Sequence, residues 1–189
     1  MKIPIEISAH HLHLCQKDLK ILFGKNYQLN VFKPLSQKEQ FAAEETVVLA
    51  NENFKLENVR ILGPLRNKTQ VEISRTEAVH FGIQPLVKES GQLKESIGGL
   101  KIIGPNGTIE LKEGIIIALR HIHASPTDAL KYKVEDRQIV SVKVEGERAL
   151  IFYKVVVRVD PLFVWNLHLD TDEANAAGLK GGEEGEMLL

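Results

Sequence analysis

The sequence predicts a mainly-β, internally duplicated protein of two small β-barrels capped by short α-helices. Three observations predict it. The pattern His-x-His-x-x-x-x-Asp occurs twice, at residues 11–18 and 121–128. The run Val59-Arg60-Ile61-Leu62-Gly63-Pro64 is echoed by Leu100-Lys101-Ile102-Ile103-Gly104-Pro105. Short helix patterns with capping residues follow strand patterns near 76–82, 126–130 and 171–178, and many short strands with small capping helices are the signature of barrels.

Composition narrows the class. A chain of 189 residues, 43% hydrophobic and 26% charged, can bury a substantial core as one large domain or two small ones. A net charge of −1, with no long Lys/Arg run and few aromatic residues, excludes an electrostatic nucleic-acid or membrane footprint. Small molecules or copies of the chain itself are the expected partners. One cysteine, Cys15, rules out an intrachain disulfide framework and a Cys-rich zinc module, so any metal must be held by imidazole and carboxylate. No apolar run approaches the roughly 20 residues that span a bilayer.

Residues 2–8 alternate Ile3, Ile5 and Ile7 with Lys2, Pro4 and Glu6, the period of a half-buried strand. The first His pair follows, then a short amphipathic helix over 16–23, with Cys15 at its N-cap and Gly24 stopping it. A serine would cap better. Residues 34–40 form a polar connection, and 41–54 read as a hairpin turning through Asn51-Glu52-Asn53. The strand at 69–74 turns Gln70, Glu72 and Ser74 to one face and Val71 and Ile73 to the other. Residues 88–99, rich in Gly and Ser, form a loop, and Asn106-Gly107 marks a hairpin. Ser125, Pro126 and Asp128 open a capped helix, while Gly82 and Gly178 suit left-handed helix ends. Residues 115–118, 138–144, 149–153 and 155–159 complete the strands. The strand at 2–8 precedes one His pair as 115–118 precedes the other, so the N-terminal strand is expected to pair with the C-terminal half.

In an extended strand alternate side chains share a face, so His11 with His13, and His121 with His123, are two-point chelates. His168 and the strand-borne Glu72 supply further donors, enough for two first-row metal ions with open positions. Arg66, beyond a Gly-Pro turn, could fork onto phosphate or carboxylate, or simply be a solvated surface arginine. Asp18 and Asp128 could orient the histidines, although charges at helix starts are the simpler account. His80 reads as packing or surface. His10 abuts a ligand but points to the opposite face, so it is excluded from the donor set.

Seven motifs in order resemble the PduL-type phosphotransacylases, also called phosphate propanoyltransferases. They are Ser8-Ala-His-His-Leu-His-Leu, Pro34-Leu-Ser-Gln, Phe41-Ala-Ala-Glu-Glu-Thr, Arg60-Ile-Leu-Gly-Pro-Leu-Arg, Thr69-Gln-Val-Glu-Ile-Ser-Arg-Thr, Arg120-His-Ile-His and His168-Leu-Asp-Thr-Asp-Glu-Ala-Asn-Ala. The resemblance spans residues 3 to about 179. It implies two barrels, one from 1–9 plus 119–189 and one from 10–118, the latter with a lid hairpin near 41–54. It implies exchange between short-chain acyl-CoA (propanoyl or acetyl) with phosphate and acyl phosphate with CoA, at two metal ions, zinc in most of the family. One ion would be held by His11, His13 and Glu72 with the coenzyme sulfur, and the other by His121, His123 and His168 with water or phosphate.

Arg66 matches the family's phosphate-contacting arginine. Ser8, Lys33, Arg60, Leu62 and Asn175 match positions around coenzyme A. A homodimer, a bacterial microcompartment setting and propanediol degradation are further implications of the resemblance. His10 stands where many relatives have arginine, and Cys15 where they have serine or threonine. The first strand begins at residue 3 without a targeting helix, so the expectation is a cytoplasmic enzyme, or one inside a microcompartment whose targeting segment has been removed. Two rival readings are a cupin-like metal-dependent oxygenase or isomerase, which lacks its usual Glu a few residues after His-x-His here, and a non-catalytic metal-binding module.

Overall fold

The computed structural model describes residues 1–188. In chain order its elements begin β1 (Lys2–Ser8), β2 (His11–His13), α1 (Gln16–Phe23), β3 (Val31–Pro34), β4 (Phe41–Ala50), β5 (Lys55–Gly63), β6 (Gln70–Glu72), α2 (Arg75–Phe81), β7 (Val87–Lys88) and β8 (Lys101–Ile103). There follow β9 (Thr108–Glu110), β10 (Ile115–Ala118), β11 (His121–Ala124), α3 (Pro126–Tyr132), β12 (Ile139–Val144), β13 (Leu150–Val159), β14 (Asn166–Asp170), α4 (Thr171–Ala177) and β15 (Glu184–Leu188). The mainly-β class with short helices is the one the strand periodicity predicts. These elements form two compact units, one combining Met1–Ala9 with the chain from Leu119 on, the other His10–Ala118.

In the first unit six strands close a barrel in the order β1-β14-β11-β13-β12-β15. The N-terminal strand closes it. β1 runs parallel to β14 (Ile5↔Leu167) and antiparallel to β15 (Ile3↔Gly185). Alternation sends Ile3, Ile5, Ile122, Ala124, Val140, Val142, Val155, Val157, Leu167 and Leu169 into one core. Gly185 leaves room for Val142 on the facing strand, since a Cβ there would lie 2.6 Å from Val142 Cγ1. The sequence splits β13 into two strands, 149–153 and 155–159, but the structure has one continuous strand. Lys154, with φ of 55°, bends it opposite a register shift in β12.

The second unit is one sheet in the order β7-β10-β6-β2-β5-β4-β8-β9, with β3 paired to β4. Its strands β10, β6, β2, β5, β4 and β8 repeat the order and the parallel or antiparallel sense of β1, β14, β11, β13, β12 and β15. The expected second barrel is not closed. β8 pairs with β9 through the Asn106-Gly107 turn, and β10 is engaged by β7 and by an Ile97↔Ile115 bridge, so the two strands that would seal a barrel have other partners. The sheet curls around Leu12, Leu14, Val47, Leu49, Val59, Ile61, Val71 and Ile115, with α1 and α2 packed on that core.

Residues 41–54 supply β4 and the turn of the expected hairpin, which closes on β5 with Leu49 opposite Leu56 and Ala50 opposite Lys55. Asn51 and Asn53 donate from Nδ2 to Phe81 O at 2.7 and 3.0 Å, which pins that turn to the end of α2. The exposed strand β3 pairs with the start of β4. The helices α2, α3 and α4 begin with full capping boxes, at Ser74/Glu77, Ser125/Asp128 and Asp170/Glu173. Cys15 makes no side-chain cap for α1. The Thr69 hydroxyl instead bridges the helix start, accepting from Cys15 N at 3.0 Å and donating to Asp18 Oδ2 at 2.5 Å, and Asp128 accepts from Ser125 Oγ at 2.6 Å, so both aspartates serve as helix-start groups. No helix among the described residues is long and apolar enough to cross a membrane.

Because β1 supplies two of the barrel's six seams, Ile3→Ala, at a position with no exposure, should cost about 2–5 kcal/mol. The measurement is chemical denaturation of the variant against the unchanged protein.

Candidate metal centres

Strand alternation that sends Leu12 and Leu14 into the core of the second unit turns His11 and His13 to the opposite face. The neighbouring strands follow suit. Val71 is a core residue, so Gln70 and Glu72 share the histidine face; Val59 and Ile61 are core, so Arg60 and Leu62 share it too. Antiparallel pairing places Glu72 directly across from His11, and parallel pairing places Arg60 on its other side. One ligand atom from each of His11, His13 and Glu72 lies within 4.8 Å of the others.

The barrel repeats this on its outer face. Ile122 and Ala124 point inward, as do Leu167 and Leu169, so His121, His123 and His168 point away from the core. His121 pairs directly across from His168, the same register as His11 with Glu72. These three also converge within 4.8 Å. The Phe163 ring stacks on His123 at 3.7 Å and His168 stacks on His121 at 5.1 Å, so the imidazoles are 7–8% exposed.

The donor sets fit divalent metal. Tetrahedral zinc with nitrogen ligands separates its donors by roughly 3.3 Å. His121 Nε2 and His123 Nε2 are 3.1 Å apart, and His11 Nε2 and Glu72 Oε2 3.5 Å. His13 Nδ1 faces Leu62 O at 3.1 Å and His121 Nδ1 faces Leu119 O at 2.7 Å. A carbonyl only accepts, so each Nδ1 carries the hydrogen and each Nε2 keeps its lone pair for a ligand bond.

Around Glu72 lies a network that sequence reasoning missed. Ser90 Oγ accepts from Arg66 Nη1 (3.0 Å) and Gln70 Nε2 (3.0 Å) and donates to Glu72 Oε1 (2.6 Å). Gln70 Nε2 also donates to Glu72 Oε1 at 2.5 Å, and Gly91 N donates to Gln70 Oε1 at 2.8 Å. One carboxylate oxygen is thereby held by hydrogen bonds while the other faces His11. Ser90 lies in the stretch that reads as a plain Gly/Ser-rich loop; the shared face of Gln70 and Glu72 was the one signal pointing here. Burial alone would raise the Glu72 carboxyl, but the charges of His11 and His13, with the His11 and Ser90 hydrogen bonds, hold it well below the ordinary range. Burial, with the Arg66 and His11 charges, pushes His13 down to about 3, so it stays neutral. In the barrel, burial and the Asp170 charge push the Glu173 carboxyl up to about 7, against the pull of Arg120.

The remaining expected residues divide between the units. Arg60 donates to Ala43 O and Glu44 O at 2.9 and 2.8 Å and lies over the Phe32 ring at 5.2 Å. Lys33 is on the same exposed strand as Phe32, and Leu62 touches His13 through its carbonyl. Ser8 ends β1 opposite Asp170, and Asn175 is exposed on α4. His10 stays out of both donor sets and pairs with Glu77. His80 packs on the Phe54 ring at 5.1 Å.

In metal-free protein the unfolded chain protonates His13 near 6.5, whereas the folded chain does so only near 3. The unfolded state therefore binds more protons in that window, and stability falls as pH drops through it; Glu72, held below 4.5, acts in the same sense lower down. Chelator-stripped protein should melt at lower temperature at pH 5 than at pH 7, and His13→Asn should flatten that slope, as read by circular dichroism melts.

Comparison with known proteins adds an independent line. The family model described as phosphate propanoyltransferase matches residues 4–180. A phosphate propanoyltransferase of Thermotoga maritima is 50% identical over 182 residues, covering 96% of this chain and 86% of the relative. Those of Lachnoclostridium phytofermentans and Salmonella arizonae are 49% and 48% identical, over 96% and 93% of this chain and 84% and 83% of the relatives. A match of this length and identity means that the chain belongs to the phosphate propanoyltransferase family and is an acyltransferase enzyme.

Proposed function

We propose that the enzyme interconverts short-chain acyl-CoA plus phosphate and acyl phosphate plus CoA, by direct transfer at a two-metal site. The observation that carries this reading is the pair of three-donor clusters in matching register, His11/His13/Glu72 with Arg66 tied to the first through Ser90, and His121/His123/His168. The chemistry has two difficulties: expelling a thiolate, and bringing anionic phosphate to the thioester. When bound, divalent ions, zinc by the nature of the donors, supply positive charge against both the departing sulfur and the phosphate.

The chain's own residues do the rest. Nδ1 bonds to Leu62 O and Leu119 O hold His13 and His121 with Nε2 outward, and the network on Glu72 Oε1 holds Oε2 toward His11. Arg66 keeps its guanidinium charged at any working pH and presents a fork that matches phosphate. Its Nη1 contact to Ser90 sets its position. In the forward direction a phosphate oxygen attacks the thioester carbonyl carbon, the C–O bond forms, the C–S bond breaks, and the electron pair leaves with sulfur. Lys33, Arg60, Leu62, Ser8 and Asn175 are the groups assigned to coenzyme A, with Arg60 and Lys33 supplying charge for its phosphates.

The deciding assay is CoA thioester formation from acetyl phosphate and from propanoyl phosphate, with metal analysis of the same sample. Turnover with two ions per chain, and its loss on chelation, is the expected result. Normal turnover by metal-free protein would sink the metal assignment, and exchange of phosphate into acyl phosphate without CoA would sink direct transfer. Arg66→Met should lower kcat/KM for phosphate by about 10²–10³-fold with metal content unchanged.

A further inference from the structure

The duplication extends one step past the metal donors. In the second unit the pattern is His10-His11-x-His13 on one strand and Glu72-x-Ser74-x-x-Glu77 on its antiparallel partner. In the barrel it is Arg120-His121-x-His123 with His168-x-Asp170-x-x-Glu173. In each case a basic residue precedes the first histidine and a glutamate follows the third donor by five positions.

The two glutamates make equivalent contacts. Glu77 Oε2 accepts from the Ser74 backbone N at 2.8 Å and its Oε1 takes His10 Nδ1 at 2.5 Å. Glu173 Oε2 accepts from Asp170 N at 3.3 Å and its Oε1 pairs with Arg120 Nη1 at 3.3 Å. One oxygen thus grips the backbone two residues after the third donor, and the other grips the side chain one residue before the first. The pairs close the open end of the ladder where His11 faces Glu72 and His121 faces His168. They are half-buried, with side chains 29% and 16% exposed for His10 and Glu77, and 31% and 22% for Arg120 and Glu173. Arg120 is further held over the Phe152 ring at 5.6 Å.

We propose that His10–Glu77 and Arg120–Glu173 are duplicated positioning pairs, each setting the spacing of the three metal donors, and so the metal affinity, in its own unit. The inference rests on the reading of the two triads as metal sites. Neither pair is a ligand. Each acts by fixing the relative position of two short strands, of three to five residues, that carry donors on a single register. Residues that orient metal ligands in this way are worth about 10–100-fold in affinity.

The test uses Glu77→Gln and Glu173→Gln, because glutamine can still accept the N-cap N–H of a capping box while losing the charge that holds the basic partner. Zinc affinity is measured at pH 8 by competition with a chromophoric chelator. Each variant is also made in a background where the other unit's histidines are alanine, so that one site is read at a time. Glu173→Gln should weaken the His121/His123/His168 site about 10–100-fold and leave the other unchanged, and Glu77→Gln the converse. Arg120→His should restore most of the affinity that Arg120→Met loses, since the second unit uses histidine at that place. Melting of the metal-free variants separates positioning from general damage: unchanged melting with weakened zinc supports the inference. Two ions bound with affinities unmoved in both glutamine variants overturn it alone, and absence of zinc from the unchanged protein overturns it together with the metal reading.

Discussion

The cross-strand pairing of His11 with Glu72, and of His121 with His168, is the constraint on which the rest of the molecule depends. A strand can offer one face to a core and the other to a site only while its register holds, because a slip of one residue exchanges every side chain between faces. Leu12 and Val71, with Ile122 and Leu167, hold that register by filling the cores at no exposure. The same side chains that stabilise each unit therefore aim its donors. Packing and chemistry are one pattern seen from opposite sides of a ladder.

Collecting donors in a dry place has an electrostatic cost. Burial acts on both members of the His13–Glu72 neighbourhood, favouring a neutral imidazole and, taken alone, a neutral carboxyl. The carboxylate stays ionised because hydrogen bonds from Ser90 and Gln70 and the neighbouring imidazoles compensate it. A buried carboxylate beside the neutral His13 imidazole brings lone pairs together as a cation needs them, which is why the arrangement makes better sense as a ligand set than as a source of stability.

Duplication explains the chain's path. β1 belongs to the barrel yet leads into β2 of the other unit, while β10 belongs to the open sheet yet leads into β11 of the barrel. Each occupies the same place beside the strand bearing the third donor. The two units differ at their edges. β15 closes the barrel on β1, whereas β8 pairs with β9, and β10 is occupied by β7 and Ile97. The second unit also carries the exposed strand β3 with Phe32 and Lys33.

Much of this was legible in the residues. Alternation at 2–8, the repeated His-x-His and the Ser125-Pro126-Asp128 start identified strands, chelating pairs and capped helices, because these depend on local periodicity and backbone hydrogen-bond demand. The matching motifs likewise carried the family, and the face of Glu72 followed from period two. What local pattern could not reach was everything set by distant partners: that the second sheet stays open, that β4 lies between β5 and β8, that Lys154 bends one strand rather than separating two, and that Thr69 bridges Cys15 N to Asp18 at the start of α1. Ser90 and the His10–Glu77 and Arg120–Glu173 pairs belong there as well, since their partners lie 18 to 67 positions away in the chain. The sequence by itself determined which side chains point together along each strand; only the tertiary structure decided which strands lie side by side, because pairing is a contest among edges that no single segment can resolve.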